Sequence, residues 1–262
     1  GHIDVTLFNG AIRNSENEHL AHLLRKKSQT LVAFGSCAHM GGIPGLANLF
    51  NRQQIFDRVY LEGVSTTNEE GTLPHTLVKV PEGEITLPAM WNTVKTLAQV
   101  VDVDYFVPGC PPTPKQIWAV VQTILSGKLP PKGSVVGATD KTQCDECKRT
   151  KHEKKIPEFR RIATAQPDPE TCFLEQGFIC MGPATRGGCE QRCQRSGVGC
   201  RGCYGPPPGV VDQGAKAISA LASILECDDE KKSAEIMGRV PDLVRTFNRF
   251  GIPSTLLGRK SL

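Results

Sequence analysis

Eight of the eleven cysteines in this chain lie within residues 141–210, and they divide by spacing into two sets of four. Cys144 and Cys147 form a C-x-x-C, which can put two thiolates on one metal centre within a single turn; Cys172 and Cys180 follow. Cys189, Cys193, Cys200 and Cys203 fall within fifteen residues. The glycines among them (Gly187, Gly188, Gly197, Gly199, Gly202) would let the backbone approach a bulky cluster and donate N–H bonds to sulfur. Two four-cysteine zinc sites, two iron–sulfur clusters and disulfides are the competing chemistries, and spacing does not separate the first two.

Two more cysteines stand apart. Gly35-Ser36-Cys37-Ala38 and Pro108-Gly109-Cys110-Pro111-Pro112 each follow a strand-like apolar run. Cys37 and Cys110 are therefore expected at the carboxyl edge of one parallel sheet, where a shared site would form. Two buried thiols are the alternative, but that reading leaves the glycine and proline around each cysteine unexplained.

The elements that must position these residues fall into two regions. In residues 1–140, the short apolar runs Ile3–Leu7, Leu31–Phe34 and Tyr105–Val107 precede Gly10, Gly35 and Gly109, as buried parallel strands do. Leu20, Leu23 and Leu24 mark one face of a helix near Glu16–Lys27. Trp91, Val94, Leu97, Ala98 and Val101 mark another. Thr113 suits an N-cap and Pro114 a first helical position. Ile117, Val120, Val121, Ile124 and Leu125 then share a face, and Gly127 stops the helix. This pattern predicts an α/β fold with a doubly wound parallel sheet.

Residues 141–262 form the second expected domain. Its stretch 141–210 follows no periodicity and is not expected to fold around an apolar core, which leaves ligand bonds to metal to hold it. Helical patterns return at Ala217–Leu225 and Pro241–Phe250.

Composition narrows the function classes. The chain has 262 residues, 39% of them apolar, with 26 Gly, 19 Pro and a net charge of +4. No basic stripe is interleaved with aromatics, so nucleic acid is not an expected partner. No apolar run approaches the roughly 18 residues that span a bilayer. An odd cysteine count and no secretory pattern at the start point to a reduced compartment with metal-ligating thiolates.

Taken together, the motifs resemble the small subunit of [NiFe] hydrogenases over nearly the whole chain. In that family, G-[ST]-C-A and P-G-C-P-P supply ligands of the cluster nearest the active site, here Cys37 and Cys110. A distal set follows in the order met by Cys144, Cys147, Cys172 and Cys180, although membrane-type enzymes carry histidine at the first of these. A medial set ends in a C-x-x-C, matching Cys189, Cys193, Cys200 and Cys203. The runs Phe34-Gly35-Ser36-Cys37-Ala38-His39-Met40-Gly41-Gly42-Ile43-Pro44-Gly45-Leu46 and Phe8-Asn9-Gly10-Ala11-Ile12-Arg13 look most like the methyl-viologen-reducing (F420-non-reducing) hydrogenases of methanogenic archaea.

The resemblance implies a flavodoxin-like first domain and a loop-rich iron–sulfur second domain with a few helices. It implies three [4Fe–4S] clusters, proximal, medial and distal. It further implies a [NiFe] large subunit that splits hydrogen, and electron delivery to an iron–sulfur subunit and heterodisulfide reductase in the cytoplasm. No catalytic acid or base is expected in this chain. The family also takes a proximal C-x-x-C near its start, and no cysteine here precedes Cys37, so the native polypeptide is expected to extend upstream of Gly1. The rivals are a non-redox zinc scaffold and the quinone-reducing iron–sulfur subunit of complex I. The latter needs only the proximal cluster.

Three features are left with two readings each. Cys227 reads as a buried thiol rather than a ligand. His39 either tunes the neighbouring site or packs. The run Lys148, Arg149, Lys151, His152, Lys154, Lys155, Arg160 and Arg161 is either a solvated face or a docking rim for an acidic partner.

Overall fold

The computed structural model describes residues 1–227 and 229–256. Strand β1 (Ile3–Asn9) leads through the short β2 (Ile12–Asn14) into helix α1 (Ser15–Lys27) and strand β3 (Ser28–Phe34). The side chain of Asn14 caps α1 by accepting from Asn17 N–H. Glu16 and Glu18 in the first turn and Arg25, Lys26 and Lys27 in the last complement the helix dipole. The crossover brings β3 back parallel to β1, with Ile3 opposite Ser28 and Asn9 opposite Phe34.

Helix α2 (Gly35–Met40) starts at the end of β3, followed by a 3-10 turn at Ile43–Leu49 and helix α3 (Arg52–Phe56). A hairpin of β4 (Leu77–Val80) and β5 (Gly83–Thr86) leads to β6 (Met90–Lys95), which pairs antiparallel with β2. Strand β7 (Tyr105–Val107) lies parallel beside β3, giving the order β1-β3-β7, and a parallel bridge from Phe106 to Val135 extends it. Helix α4 (Pro114–Leu125) begins with a reciprocal cap between Thr113 and Gln116. Leu31 and Ala33 join Ile12, Ala21 and Leu97 in one core, while Val32, Tyr105, Val107 and Val120 form another. Alternate residues of β3 thus enter different cores, so the sheet is covered on both faces.

One expected helix is a strand. Trp91 and Val94 fit a helical period together with Leu97 and Val101, but Asn48 takes both backbone groups of Val94, at 2.9 and 2.7 Å, and β2 pairs with the rest. Tertiary pairing overrides the local period here. Only Leu97–Gln99 coils, as a single 3-10 turn capped by Thr96.

The second region holds short helices α5 (Gln143–Glu146) and α6 (Arg192–Arg195), then α7 (Gln213–Ala222), α8 (Glu230–Gly238) and α9 (Leu243–Phe247). The expectation that it lacks an apolar core does not hold. Ile156, Phe159, Phe173 and Phe178 are buried against Leu221, Ile236 and Phe247. These aromatics reach the core from loops, and therefore leave no period in the sequence. Each such burial is worth roughly 1.5–3 kcal/mol, so the region has an apolar frame, into which Cys180 and Cys200 are packed. Among the described residues, no helix is long and apolar enough to cross a membrane.

Asp104 clamps β3 to the turn before β7. Its backbone N–H donates to Leu31 O at 2.9 Å, and its carboxylate accepts from Leu31 N–H at 2.8 Å and from Arg25 at 2.6 Å. Burial works to raise its pKa, but Lys132, Arg25 and the Leu31 N–H outweigh it and hold the group at about 2. A depressed carboxylate stabilises the fold above its unfolded pKa and loses that contribution as pH falls through the folded one. Asp104→Asn should therefore cost about 2 kcal/mol at neutral pH, and the deficit should shrink as pH drops from about 4 towards 2. Unfolding of wild type and variant across that range checks both size and sign.

Candidate functional site

The carboxyl edge of the sheet brings Cys37 and Cys110 together. Ser36 N–H donates to Gly109 O at 2.7 Å, tying the turn after β3 to the turn after β7. Cys37 rides on α2, and its thiol accepts from the backbone of Ile43. Gly42 is required there, since a Cβ at that position would lie 2.5 Å from Cys37 Sγ, and its φ is +58°. Burial raises the Cys37 pKa, and the charge of Cys110 raises it further. Cys110 itself is exposed.

Cys144, Cys147, Cys172 and Cys180 also meet in space, drawn in by paired backbone. Thr150 N–H donates to Glu170 O and Cys172 N–H to Thr150 O, both at 2.8 Å, joining the loop after Cys147 to the one before Cys172. Gln143 N–H donates to Thr185 O at 2.8 Å, joining the start of α5 to the turn after Cys180. A Cβ at Gly182 would sit 3.1 Å from Cys144 Sγ and 3.4 Å from Cys180 Sγ, so glycine lies where these two sulfurs converge. Burial pushes the Cys144 thiol up to about 12, and the charges of Cys180, Cys172 and Cys147 push the same way. Burial likewise raises Cys180 to about 11, against N–H donors from Gly182 and Cys200.

In the remaining set, Cys203 interacts electrostatically with Cys193, Cys189 and Cys110, and burial is the main reason its pKa reaches about 12. Its sulfur accepts from Cys110 N–H, so the set abuts the first site. Cys189 Sγ accepts from the backbone of Arg192 and Gln191 and, at 3.1 Å, from the Gln143 amide. Cys200 is buried between sets. Its N–H donates to Cys180 Sγ at 3.1 Å, and its own sulfur accepts from Gly202 N–H and the Thr185 hydroxyl.

All eleven cysteines are free thiols, which removes the disulfide reading. A thiolate buried without positive charge is costly, and nearby thiolates make it more so; a bound metal reverses that balance. Sulfurs met by N–H donors and glycine-lined approaches are a donor set suited to iron–sulfur ligation. Four ligands of one zinc ion would each lie about 2.3 Å from a common point.

The remaining sequence candidates resolve by contact. His39 is half-buried and packs against Phe106, with ring centroids 4.8 Å apart, and desolvation lowers its pKa to about 4, so it packs as a neutral ring. Cys227 is half-buried beside the second core. The basic run splits. Arg149 turns inward over the Phe173 ring and donates to Asp168 O and Thr171 O, and Lys155 donates to Ser223 O. Arg160 and Arg161 instead line a pocket with Arg201, Arg245 and Arg249, next to Cys200. Sequence reading missed that pocket because Arg201, Arg245 and Arg249 are distant in the chain from the run. It also missed Gln143, whose type carries no ligand signal.

Comparisons with known proteins bear on the family of the chain. Residues 1–124 match the family described as NADH ubiquinone oxidoreductase, 20 Kd subunit. The iron–sulfur subunit of the F420-non-reducing hydrogenase of Archaeoglobus profundus is 39% identical over 263 residues, covering 98% of this chain and 81% of that one. The vhu F420-non-reducing hydrogenase of Methanocaldococcus jannaschii has a subunit that is 40% identical over 260 residues, covering 99% and 81%. Among solved structures, an NAD+-reducing [NiFe]-hydrogenase in the H2-reduced state matches with a TM-score of 0.44 and 31% identity, over 50% of this chain and 68% of that one. Identity at the level of the two archaeal relatives, along almost the whole chain, decides the family: the chain belongs with the small, iron–sulfur subunits of the F420-non-reducing hydrogenases.

Proposed function

We propose that the chain is the electron-transferring small subunit of a cytoplasmic [NiFe] hydrogenase and holds three [4Fe–4S] clusters. Cys37 and Cys110 would contribute to the proximal one. Cys189, Cys193, Cys200 and Cys203 would hold the medial one, and Cys144, Cys147, Cys172 and Cys180 the distal one. Residues 1–140 then form the domain carrying the proximal cluster, and residues 141–262 carry the other two. The observation that carries the reading is the grouping of Cys144, Cys147, Cys172 and Cys180, interacting thiols of which Cys180 accepts from the backbone N–H groups of Gly182 and Cys200.

The clusters, when bound, supply one-electron transfer. The chain's own residues do the rest. Ser36 and Gly109 hold the proximal turns together, and Cys203 lies between the Cys110 and Cys189 sites. That placement supports the order proximal, medial, distal. The large subunit, on another chain, would deliver electrons from hydrogen at the sheet edge, and an iron–sulfur subunit leading to heterodisulfide reductase would accept them. Lys151, which donates to Cys144 O at 3.4 Å, sets positive charge beside the distal cysteines and would favour an acidic face on that acceptor, raising its association rate more than its affinity.

The purified complex should be brown, with broad visible absorption and iron and sulfide in this subunit; a colourless subunit holding only zinc would overturn the reading. Cys37→Ala should disconnect the hydrogen-splitting site from every acceptor. Cys144→Ala should spare hydrogen–deuterium exchange at the large subunit but abolish reduction of external acceptors. Equal loss of exchange in both assembled variants would contradict the order. Cys193→Pro should convert the medial cluster to [3Fe–4S] with a raised potential. A strong [3Fe–4S] signal already present in anaerobic wild type, and unchanged in the variant, would exclude Cys193 as a ligand.

A further inference from the structure

Gln143 is wholly buried, with no exposed surface. Its Nε2 donates to Arg186 O at 3.1 Å and to Cys189 Sγ at 3.1 Å, so both amide hydrogens are used. The Arg186 carbonyl fixes which way the amide faces, since exchanging its O and N would set two acceptors against each other. The backbone is fixed as well, by Gln143 N–H to Thr185 O at 2.8 Å and by the bridge between Thr142 and Arg186. The Oε1 atom is buried and has no hydrogen-bond partner among the described residues.

That orphaned oxygen is informative. A buried acceptor without a partner carries its full desolvation cost. A methionine of similar length would fill the space without that cost, so packing by itself disfavours glutamine here. What glutamine adds is an N–H aimed at sulfur. The other donors to Cys189 Sγ are the backbone N–H groups of Gln191 and Arg192, which almost any residue type supplies; Gln143 is the side-chain donor.

We infer that the Gln143 amide is a positioning residue that raises the reduction potential of the cluster held by Cys189, Cys193, Cys200 and Cys203, acting through the Cys189 sulfur. The inference rests on the ligand assignment proposed above. A reduced cluster carries one more negative charge than an oxidised one. A hydrogen bond to a ligand sulfur stabilises the more negative state, and its removal lowers the potential. Gln143 also immediately precedes Cys144, a proposed distal ligand. One rigid residue therefore joins the chain of one site to the sulfur of the next, and fixes their separation while it tunes one of them.

The test is an electron paramagnetic resonance redox titration of the intact complex. Gln143→Met should retain every cluster signal and shift the medial equilibrium about tenfold towards the oxidised form, which is about 59 mV downward for one electron. Thr142→Ala, which loosens the same turn without touching a sulfur, should leave the medial midpoint in place. An unchanged midpoint in Gln143→Met, or an equal shift in Thr142→Ala, overturns the inference. If Gln143→Met does not assemble, wild type carrying glutamine labelled with 15N only at the side-chain amide, which leaves the Gln191 backbone donor unlabelled, answers the question by pulsed resonance. A nitrogen coupling to the reduced medial cluster supports the inference, and its absence overturns it. Cys189→Ser separates this failure from failure of the ligand assignment. If no cluster signal changes in that variant, Cys189 is not a ligand and the inference falls with the assignment. If the medial signal changes there while the Gln143→Met midpoint does not move, only the inference falls.

Discussion

Sulfurs drawn out of water toward one another repel as soon as they ionise, and the second half of this molecule is arranged around that cost. Cys144 and Cys203 are both pushed to about 12, chiefly by burial and then by neighbouring thiols. Lone thiols in such surroundings would stay protonated. The chain meets the cost with backbone N–H groups: Gly182 and Cys200 toward Cys180, Gln191 and Arg192 toward Cys189, Gly202 toward Cys200. Backbone donors reach a sulfur only where the chain turns tightly around it. The cysteines therefore lie mostly on loops, turns and very short helices, and glycine stands where a side chain would collide with sulfur.

Loops under that demand need rigid supports, and two frames supply them. The parallel sheet, buried on both faces, ends beneath Cys37 and Cys110. The aromatic core of Phe159, Phe173 and Phe178, closed by α7, α8 and α9, carries the loops that bear Cys172 and Cys180. The frames are joined at the sulfur sites. Ser36 Oγ donates to Cys203 O at 2.6 Å, and the Tyr204 hydroxyl donates to Gln116 Oε1 at 2.6 Å, within the cap of α4. Movement of either frame would change the spacing of the sulfurs, on which electron transfer between them would depend.

Positive charge is distributed by the same logic. Arg149 and Arg186 serve the interior, one over an aromatic ring and the other, mostly buried, paired with Asp140 at 2.8 Å. Arg160, Arg161, Arg201, Arg245 and Arg249 collect beside Cys200. Arg249 is half-buried there, and burial first and Arg201 second lower its pKa. Two of these arginines are offset within the chain, Arg160 by Glu158 at 3.2 Å and Arg245 by Asp242 at 3.1 Å.

The sequence by itself determined the chemistry: which residues are cysteines, their division by spacing, and the strand-turn-cysteine motifs at Cys37 and Cys110. It also determined the elements that depend on local rules, such as β7 and the capped helix α4. These are legible because periodicity, capping and turn residues act within a few positions. Tertiary structure decided what depends on distant partners. Met90–Lys95 became a strand because Asn48 and β2 claim its backbone. Residues 141–210 acquired an apolar core because isolated aromatics meet helices contributed from far along the chain. Cys200 came to lie between two sets, and Gln143 came to face Cys189, through hydrogen bonds to Cys180 and Arg186 that no spacing encodes. Thiols grouped by number along a chain are grouped in space only once the backbone between them has found its own hydrogen-bond partners.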